Sequence, residues 1–322
     1  MPSLTEERPI IAHIKEDNWS SSDYFLIVGF SDLPELQVPL FVSLTLIYLM
    51  TLMGNFFIMS AIYCNSQLHT PMYFFITHLS FLDIGYATVI FPQMLAHFHL
   101  PGTHMSLAEC LLQSYFFMSM VSTEYVLLTV MAYDRYVAIC NPLRYLTIMN
   151  WTLCMSLAAA SWGFGCMAPI PYIALMSKLS FCESRTINHF FCDLTALLKI
   201  SCSSTKPIEL LTYIMGSTVA LMSLLPIIIS YINIILSILK IQSKGGRSKT
   251  FSTCCSHLTV VIFFYVSLFS TYVRPTSTYS MKDNKILTLC YTAITPLSNP
   301  IIYSLKNTEI KNALRKKTKS KE

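Results

Sequence analysis

The strongest constraint on this chain is where it carries no charge. No Asp, Glu, Lys or Arg occurs between Glu35 and Asp83, Arg144 and Lys178, Glu209 and Lys240, Lys249 and Arg274, or Lys285 and Lys306. A helix crosses a bilayer with ~20 mostly apolar residues, and each of these stretches reaches that length. The first is too long for one crossing, and Asn65-Ser66-Gln67-Leu68-His69-Thr70-Pro71 divides it. Pro71 suits the first turn of a new helix, where its missing N–H does no harm. The pattern predicts a first helix over residues 38–63 and a second over 71–96, interrupted by Asp83. A third over 110–137 carries Glu124 and ends in Asp134-Arg135. The remaining uncharged stretches supply helices four to seven, so the expected fold is an all-α membrane protein, a seven-helix transmembrane bundle.

Composition agrees with that reading, because only 12% of the residues are charged and 53% are hydrophobic, too little charge to cover a soluble surface of 322 residues. Orientation follows from the basic residues of short loops. Arg135, Arg144, Lys240, Lys244, Arg247, Lys249 and the tail residues Lys306, Lys311, Arg315, Lys316, Lys317, Lys319 and Lys321 fall on one side, while the first 37 residues carry seven acids against Arg8 and Lys15. The expectation is a multi-pass plasma-membrane protein with its N-terminus outside and its C-terminus in the cytoplasm. The net charge of +5 is mostly this bias, which suits contact with anionic membrane lipid and is not read as nucleic-acid binding.

Three regions follow: an extracellular arm (1–37), the helical domain (38–305) and a basic tail (306–322). No basic segment followed by an apolar run marks a cleavable signal peptide, so the first helix is expected to act as the targeting signal. Asn18-Trp19-Ser20 in the arm is a glycosylation acceptor on the accessible side. Asn150-Trp151-Thr152 also fits the pattern but falls on the cytosolic side. The tail segment Asn307–Lys317 places Ile310, Ala313 and Leu314 among Lys and Arg, the pattern of a short helix on the cytoplasmic membrane surface. Of 11 cysteines, Cys110, Cys182, Cys192 and Cys202 fall on the oxidising side, the last three in a long second outer loop over 174–208. Four cysteines permit three pairings.

The motifs then become specific. Met131-Ala132-Tyr133-Asp134-Arg135-Tyr136-Val137-Ala138-Ile139-Cys140-Asn141-Pro142-Leu143-Arg144-Tyr145 stands at the end of the third helix, and Leu68-His69-Thr70-Pro71-Met72-Tyr73-Phe74-Phe75 enters the second. Gly54-Asn55, Ser230-Tyr231, Lys249-Thr250-Phe251-Ser252-Thr253-Cys254-Cys255-Ser256-His257-Leu258 and Pro296-Leu297-Ser298-Asn299-Pro300-Ile301-Ile302-Tyr303 stand in order around them. From about Asp23 to the tail the chain resembles the olfactory (odorant) receptor family of rhodopsin-like G-protein-coupled receptors. Tyr133 and Tyr272-Val273-Arg274-Pro275 resemble its tetrapod-type subfamily, tuned to airborne odorants.

The resemblance implies that the chain binds small odorants within the bundle and activates a heterotrimeric G protein of the stimulatory, olfactory type to raise cyclic AMP. It implies bridges Cys110–Cys192 and Cys182–Cys202. Asp134 would hold Arg135 in an inactive arrangement, with Tyr136, Tyr265, Asn299 and Pro300 in the switch machinery, and Tyr231 and Tyr303 would swing inward to support Arg135. An Arg at that depth is costly in lipid unless paired or facing water. Ser114, Phe117, Met118, Val121, Ser122 and Tyr125 recur at helical spacing. The resemblance turns these toward a ligand cavity, together with Met215, Val219, Leu268, Phe269, Tyr272, Leu289 and Thr292. Phe117 stands where amine receptors carry an acid, so a neutral, mostly apolar ligand is expected.

Asp83 and Glu124 are carboxylates near mid-membrane, where isolated charge is costly. Two readings stay open for them: a sodium site, with Asn55 and Asn299 nearby, or a protonated network without metal; no other cofactor is implied. Val266 and Ser298 depart from the residues usual in the family, as does the length of the arm. An enzyme is not expected, since Gly163-Phe164-Gly165-Cys166 lacks the Asp of an intramembrane protease motif and no His-Glu-x-x-His occurs. No inverted repeat suggests a transporter. His97, His99 and His104 near the first outer loop lack a fourth metal ligand. The alternative is another rhodopsin-like receptor, for a lipid or small metabolite.

Overall fold

The computed structural model describes residues 24–30, 34–99, 104–182, 185–240, 244–272 and 281–305. Its long helices are α1 (Gln37–Cys64), α2 (Pro71–His99), α3 (Leu107–Cys140), α5 (Trp151–Met167), α8 (Lys206–Leu239), α9 (Lys244–Tyr272) and α10 (Met281–Leu305). Three short ones connect them: α4 (Tyr145–Ile148), α6 (Ile170–Met176) and α7 (Leu194–Ile200). Among the described residues, five stretches are long and apolar enough to cross a membrane by themselves: 37–64, 71–98, 107–140, 151–176 and 206–239. The sixth crossing has an apolar centre at Cys254–Ser270, and α10 is the seventh. The protein is a seven-transmembrane, rhodopsin-like bundle.

Local chemistry sets where these helices start and stop. Ser106 and Glu109 cap α3 reciprocally: the Ser106 hydroxyl accepts from the Glu109 N–H at 3.2 Å, and the Glu109 carboxylate accepts from the Ser106 N–H at 2.8 Å. Asn150 caps α5 by accepting from the Leu153 N–H at 2.9 Å. The fourth crossing, expected as one helix, is broken after Met167, because Pro169 cannot donate to the helical ladder. The described seventh helix also begins before its uncharged stretch, taking in Lys282, Asp283 and Lys285.

The bundle places polar groups inside and apolar ones outside. Asn55, Asp83, Glu124, Asn299 and Thr292 are buried, while Val38, Tyr213 and Met222 are each more than 70% exposed. Such exposure suits lipid, and the interior carboxylates avoid it. Apolar contact gains little when lipid is the competitor, so close approach through small residues matters. Gly165 on α5 lies so near α3 that an added Cβ would collide with Thr123 and come within 2.7 Å of the Ser119 carbonyl.

One end carries a lid that the charge pattern did not reveal. Strand β1 (Tyr24–Ile27) pairs antiparallel with β2 (His104–Ser106) and parallel with β3 (Thr186–Ile187). Phe25 and Ile27 pack beneath it with Met105, Ile187, Leu194 and Leu197. Gly29 has φ +58°, a left-handed conformation that favours glycine, and its carbonyl accepts from the Lys285 ammonium of α10 at 2.7 Å. Disulfides join Cys110 to Cys192 and Cys182 to Cys202, with Cα separations of 5.3 and 6.0 Å. The first ties the lid to α3.

Candidate ligand pocket and coupling face

A cavity of about 150 Å³ lies below the lid, between α3, α6 and α8. Its inner wall is one face of α3: Ser114, Phe117, Met118, Val121, Ser122 and Tyr125. The spacing of three and four residues puts these side chains one above another. Met215 and Val219 of α8 and Leu268 of α9 complete the group brought together from the sequence reading. Ala168, Pro169, Tyr172, Thr212 and Gly216 also line it, with Cys192, Asp193 and Leu194 as its roof. None of these eight was singled out from sequence as a pocket residue: Thr212 and Gly216 share the helical spacing of Met215 and Val219 on α8, whereas no periodicity relates the loop residues Cys192 and Asp193 to a helix face.

Three expected contacts do not reach this cavity. Phe269 is 42% exposed on α9, with its ring tilted against that of Tyr265 at 6.2 Å. Leu289 packs into the central core, and Thr292 is buried with its hydroxyl donated to the Thr288 carbonyl at 2.8 Å. For Leu289 and Thr292 the reason is a wall of rings through the bundle centre. Phe117 meets Tyr86 at 5.9 Å and Tyr291 at 6.3 Å, Tyr291 meets Phe264 at 6.4 Å, and Phe264 meets Tyr125 at 4.9 Å. These rings fill the space between α10 and the cavity. The Tyr272 side chain lies outside the described residues, as does Asn18.

The pocket is largely apolar, with a few oriented polar groups. The Ser114 hydroxyl is already committed, donating to the Cys192 carbonyl at 2.6 Å. Asp193 is the one acid in the lining, and its carboxylate accepts from the Thr195 N–H at 3.0 Å at the start of α7. Beside the roof, burial pulls the His189 imidazole down to about 4, with the Lys285 cation lowering it further and Asp193 opposing.

At mid-bundle the Asn299 amide donates to both Asp83 oxygens, at 2.9 and 3.1 Å. Asn55 donates to the Pro296 carbonyl at 3.2 Å. Among the described residues, neither Glu124 oxygen has a hydrogen-bond partner, nor do the side-chain oxygens of Asn55 and Asn299.

At the end opposite the lid, Arg135 pairs with Asp134 at 2.6 Å. The Tyr145 hydroxyl donates to the other Asp134 oxygen at 2.7 Å; burial first, then the Asp134 carboxylate, raises the pKa of that phenol. Tyr231 of α8 meets the His257 Nδ1 of α9 at 2.6 Å, and its ring stacks on the imidazole. Tyr265 meets the Ser223 hydroxyl at 2.6 Å, a second link between these helices. The Tyr303 hydroxyl is buried without a partner among the described residues. Tyr136 lies against the Tyr133 ring, and Pro300 comes within 3.1 Å of where a Cβ on Gly54 would stand. Tyr145 and His257 both stand inside the family motifs, which by themselves assign neither a role.

Comparison with known proteins agrees with this architecture. A family model described as "Olfactory receptor" matches residues 44–321. The chain is 45% identical over 303 residues to olfactory receptor 6Y1 of Homo sapiens, covering 94% of this chain and 93% of that protein. It is 46% identical to olfactory receptor 6P1 of Homo sapiens, covering 91% and 92%. Olfactory receptor 1G1 of Gorilla gorilla gorilla is 46% identical, covering 93% and 96%.

Proposed function

The chain belongs to the olfactory receptor family, and from that membership we propose that it responds to small, neutral, mostly apolar odorants held between α3, α6 and α8. The observation that carries this reading is the cavity itself, because its lining is apolar and its single acid already caps a helix. A charged ligand would lose its hydration there without gaining a partner. The fold is a membrane receptor and not an enzyme.

A ligand in the cavity presses on Phe117 and Tyr125, whose rings contact Tyr291, Phe264 and Tyr265 on α10 and α9. Both sites bias one equilibrium if those helices shift together. Movement of α9 against α8 would break the Tyr231–His257 and Tyr265–Ser223 contacts, free Arg135 from Asp134, and let Tyr231 and Tyr303 support it. The partner at that face is a heterotrimeric G protein of the stimulatory, olfactory type, raising cyclic AMP. The N-terminus is outside, so the lid faces the odorant and the basic loops face the G protein.

The unpartnered oxygens of Glu124, Asn55 and Asn299 beside Asp83 fit a small hard cation, which takes oxygen ligands. Sodium bound there would be held by Asp83 and Glu124 and would offset one of their two negative charges. Asn299 fixes the Asp83 carboxylate from α10.

The test is a cyclic-AMP reporter in cells expressing this receptor and the olfactory G protein, run against a broad odorant panel. Neutral agonists with responses reduced by Val121→Phe at matched surface expression support the reading. Responses confined to permanent cations would refute it.

A further inference from the structure

The cavity is roofed at the lid end and open at its side. Cys192, Asp193 and Leu194 form the roof and are almost fully buried. The Cys192 backbone is held from below, its N–H donating to Gln113 at 2.9 Å and its carbonyl accepting from Ser114. Above it sit the apolar layer of Phe25 and Ile27 and the three-stranded sheet. A ligand entering through these described residues would have to unseat a disulfide-anchored layer.

The side wall differs. Gly216 of α8 lines the cavity, yet it is exposed on the bundle surface, and a Cβ added there would meet nothing within 4 Å. Ala168 and Pro169, where the fourth crossing breaks between α5 and α6, line the same cavity, with Ala168 half-buried and Pro169 buried. The Tyr172 hydroxyl reaches the Leu211 carbonyl at 3.5 Å and links α6 to α8 on the lid side of this gap. Neighbouring side chains are apolar and exposed, with Met167 at 66% and Tyr213 at 73%. That surface faces lipid in a membrane-spanning bundle.

We propose that ligands enter this cavity sideways from the bilayer, through the gap between Ala168–Pro169 and Gly216. The inference rests on the odorant reading of the pocket above. It gives the bilayer a role in selection, since apolar neutral molecules concentrate in hydrocarbon while charged ones are excluded. Gly216 is then a specificity-determining position for access, because a side chain there would narrow the mouth.

A residue on a route differs from a residue in a pocket by a kinetic criterion. Raising a barrier slows entry and exit equally and leaves the equilibrium unchanged, whereas an altered contact changes affinity mainly through dissociation. The experiment uses the full receptor in cells with a G-protein-recruitment sensor. The probe is the strongest wild-type agonist from a panel of medium-chain aliphatic alcohols, ketones and esters. Gly216→Phe and, independently, Ala168→Phe are expected to slow onset and washout together by about tenfold, equivalent to ~1.4 kcal/mol of added barrier. Because both residues also line the cavity, any shift in half-maximal concentration should be smaller than the change in either rate. Ile214→Phe, on the exposed face of α8 outside the lining, should alter neither rate. Unchanged rates in both rim variants, or a potency shift with washout alone altered, would overturn the side entrance while leaving the odorant reading standing. A wild type that responds to nothing in the panel would defeat the odorant reading, and the entrance with it.

Discussion

Gly165 shows how much a single position can hold in a bundle without a strong apolar driving force between helices. Its missing side chain is what lets α5 reach the Thr123 turn of α3. Gly165→Val is therefore expected to destabilise the receptor by ~1–3 kcal/mol through overpacking. It should lower both surface expression and melting temperature in detergent, whereas Gly163→Ala, with nothing within 4 Å, should leave both near wild type. Arg135 is the opposite case, a residue to which the proposed coupling assigns signalling more than packing. Its visible partner is the adjacent Asp134, itself held by Tyr145. Arg135→Ala should abolish the cyclic-AMP response while the receptor still reaches the cell surface; undiminished signalling at matched expression would remove it from the mechanism.

At the scale of elements, the lid is the assembly that joins distant parts of the chain. Strand β1, the Cys110–Cys192 bridge and the Lys285–Gly29 contact tie the N-terminal segment to α3, the second connecting loop and α10. His189 is buried within it, with its pKa lowered from 6.5 to about 4. The unfolded lid binds a proton to this imidazole near pH 6.5 and the folded lid does not until about 4. The contribution is therefore complete above pH 6.5 and lost as pH falls from there toward 4. Hydrogen-exchange protection factors of residues 24–30 should fall over that window in the wild type, and His189→Phe should flatten the dependence. The Cys182–Cys202 bridge sits outside the roof of the pocket, so its removal is expected to loosen the lid without changing ligand preference.

For the whole molecule, topology decides what each end can meet. In the orientation proposed from the acid-rich arm and basic loops, Asn18 lies outside and Asn150, which also caps α5, in the cytosol. Glycosidase treatment should shift the wild type and leave Asn18→Gln unchanged, while Asn150→Gln behaves as wild type for the glycan. A glycan lost only with Asn150→Gln would invert the molecule. That same Asn150→Gln should still lower stability by ~0.5–2 kcal/mol, because a side-chain cap is removed.

The sequence by itself determined the number of crossings, since uncharged length is a local property that a bilayer reads directly. It determined the family too, through motifs confined to short stretches such as Met131–Leu143 and Pro296–Tyr303. Helical spacing within one segment also fixed which α3 side chains align, while the family resemblance implied that this face meets a cavity. Only the tertiary structure decided where that face ends. Leu289 and Thr292 are excluded because the Tyr86, Phe117 and Tyr291 rings occupy the centre, a consequence of packing among three helices, and Phe269 because it lies on an exposed face of α9. The roof at Cys192–Leu194, the rim at Ala168 and Gly216, and the strand at Tyr24–Ile27 likewise depend on segments far apart in the chain. Residues that meet only through folding leave no periodic signal within any one segment, so their partnership is set by three-dimensional packing alone.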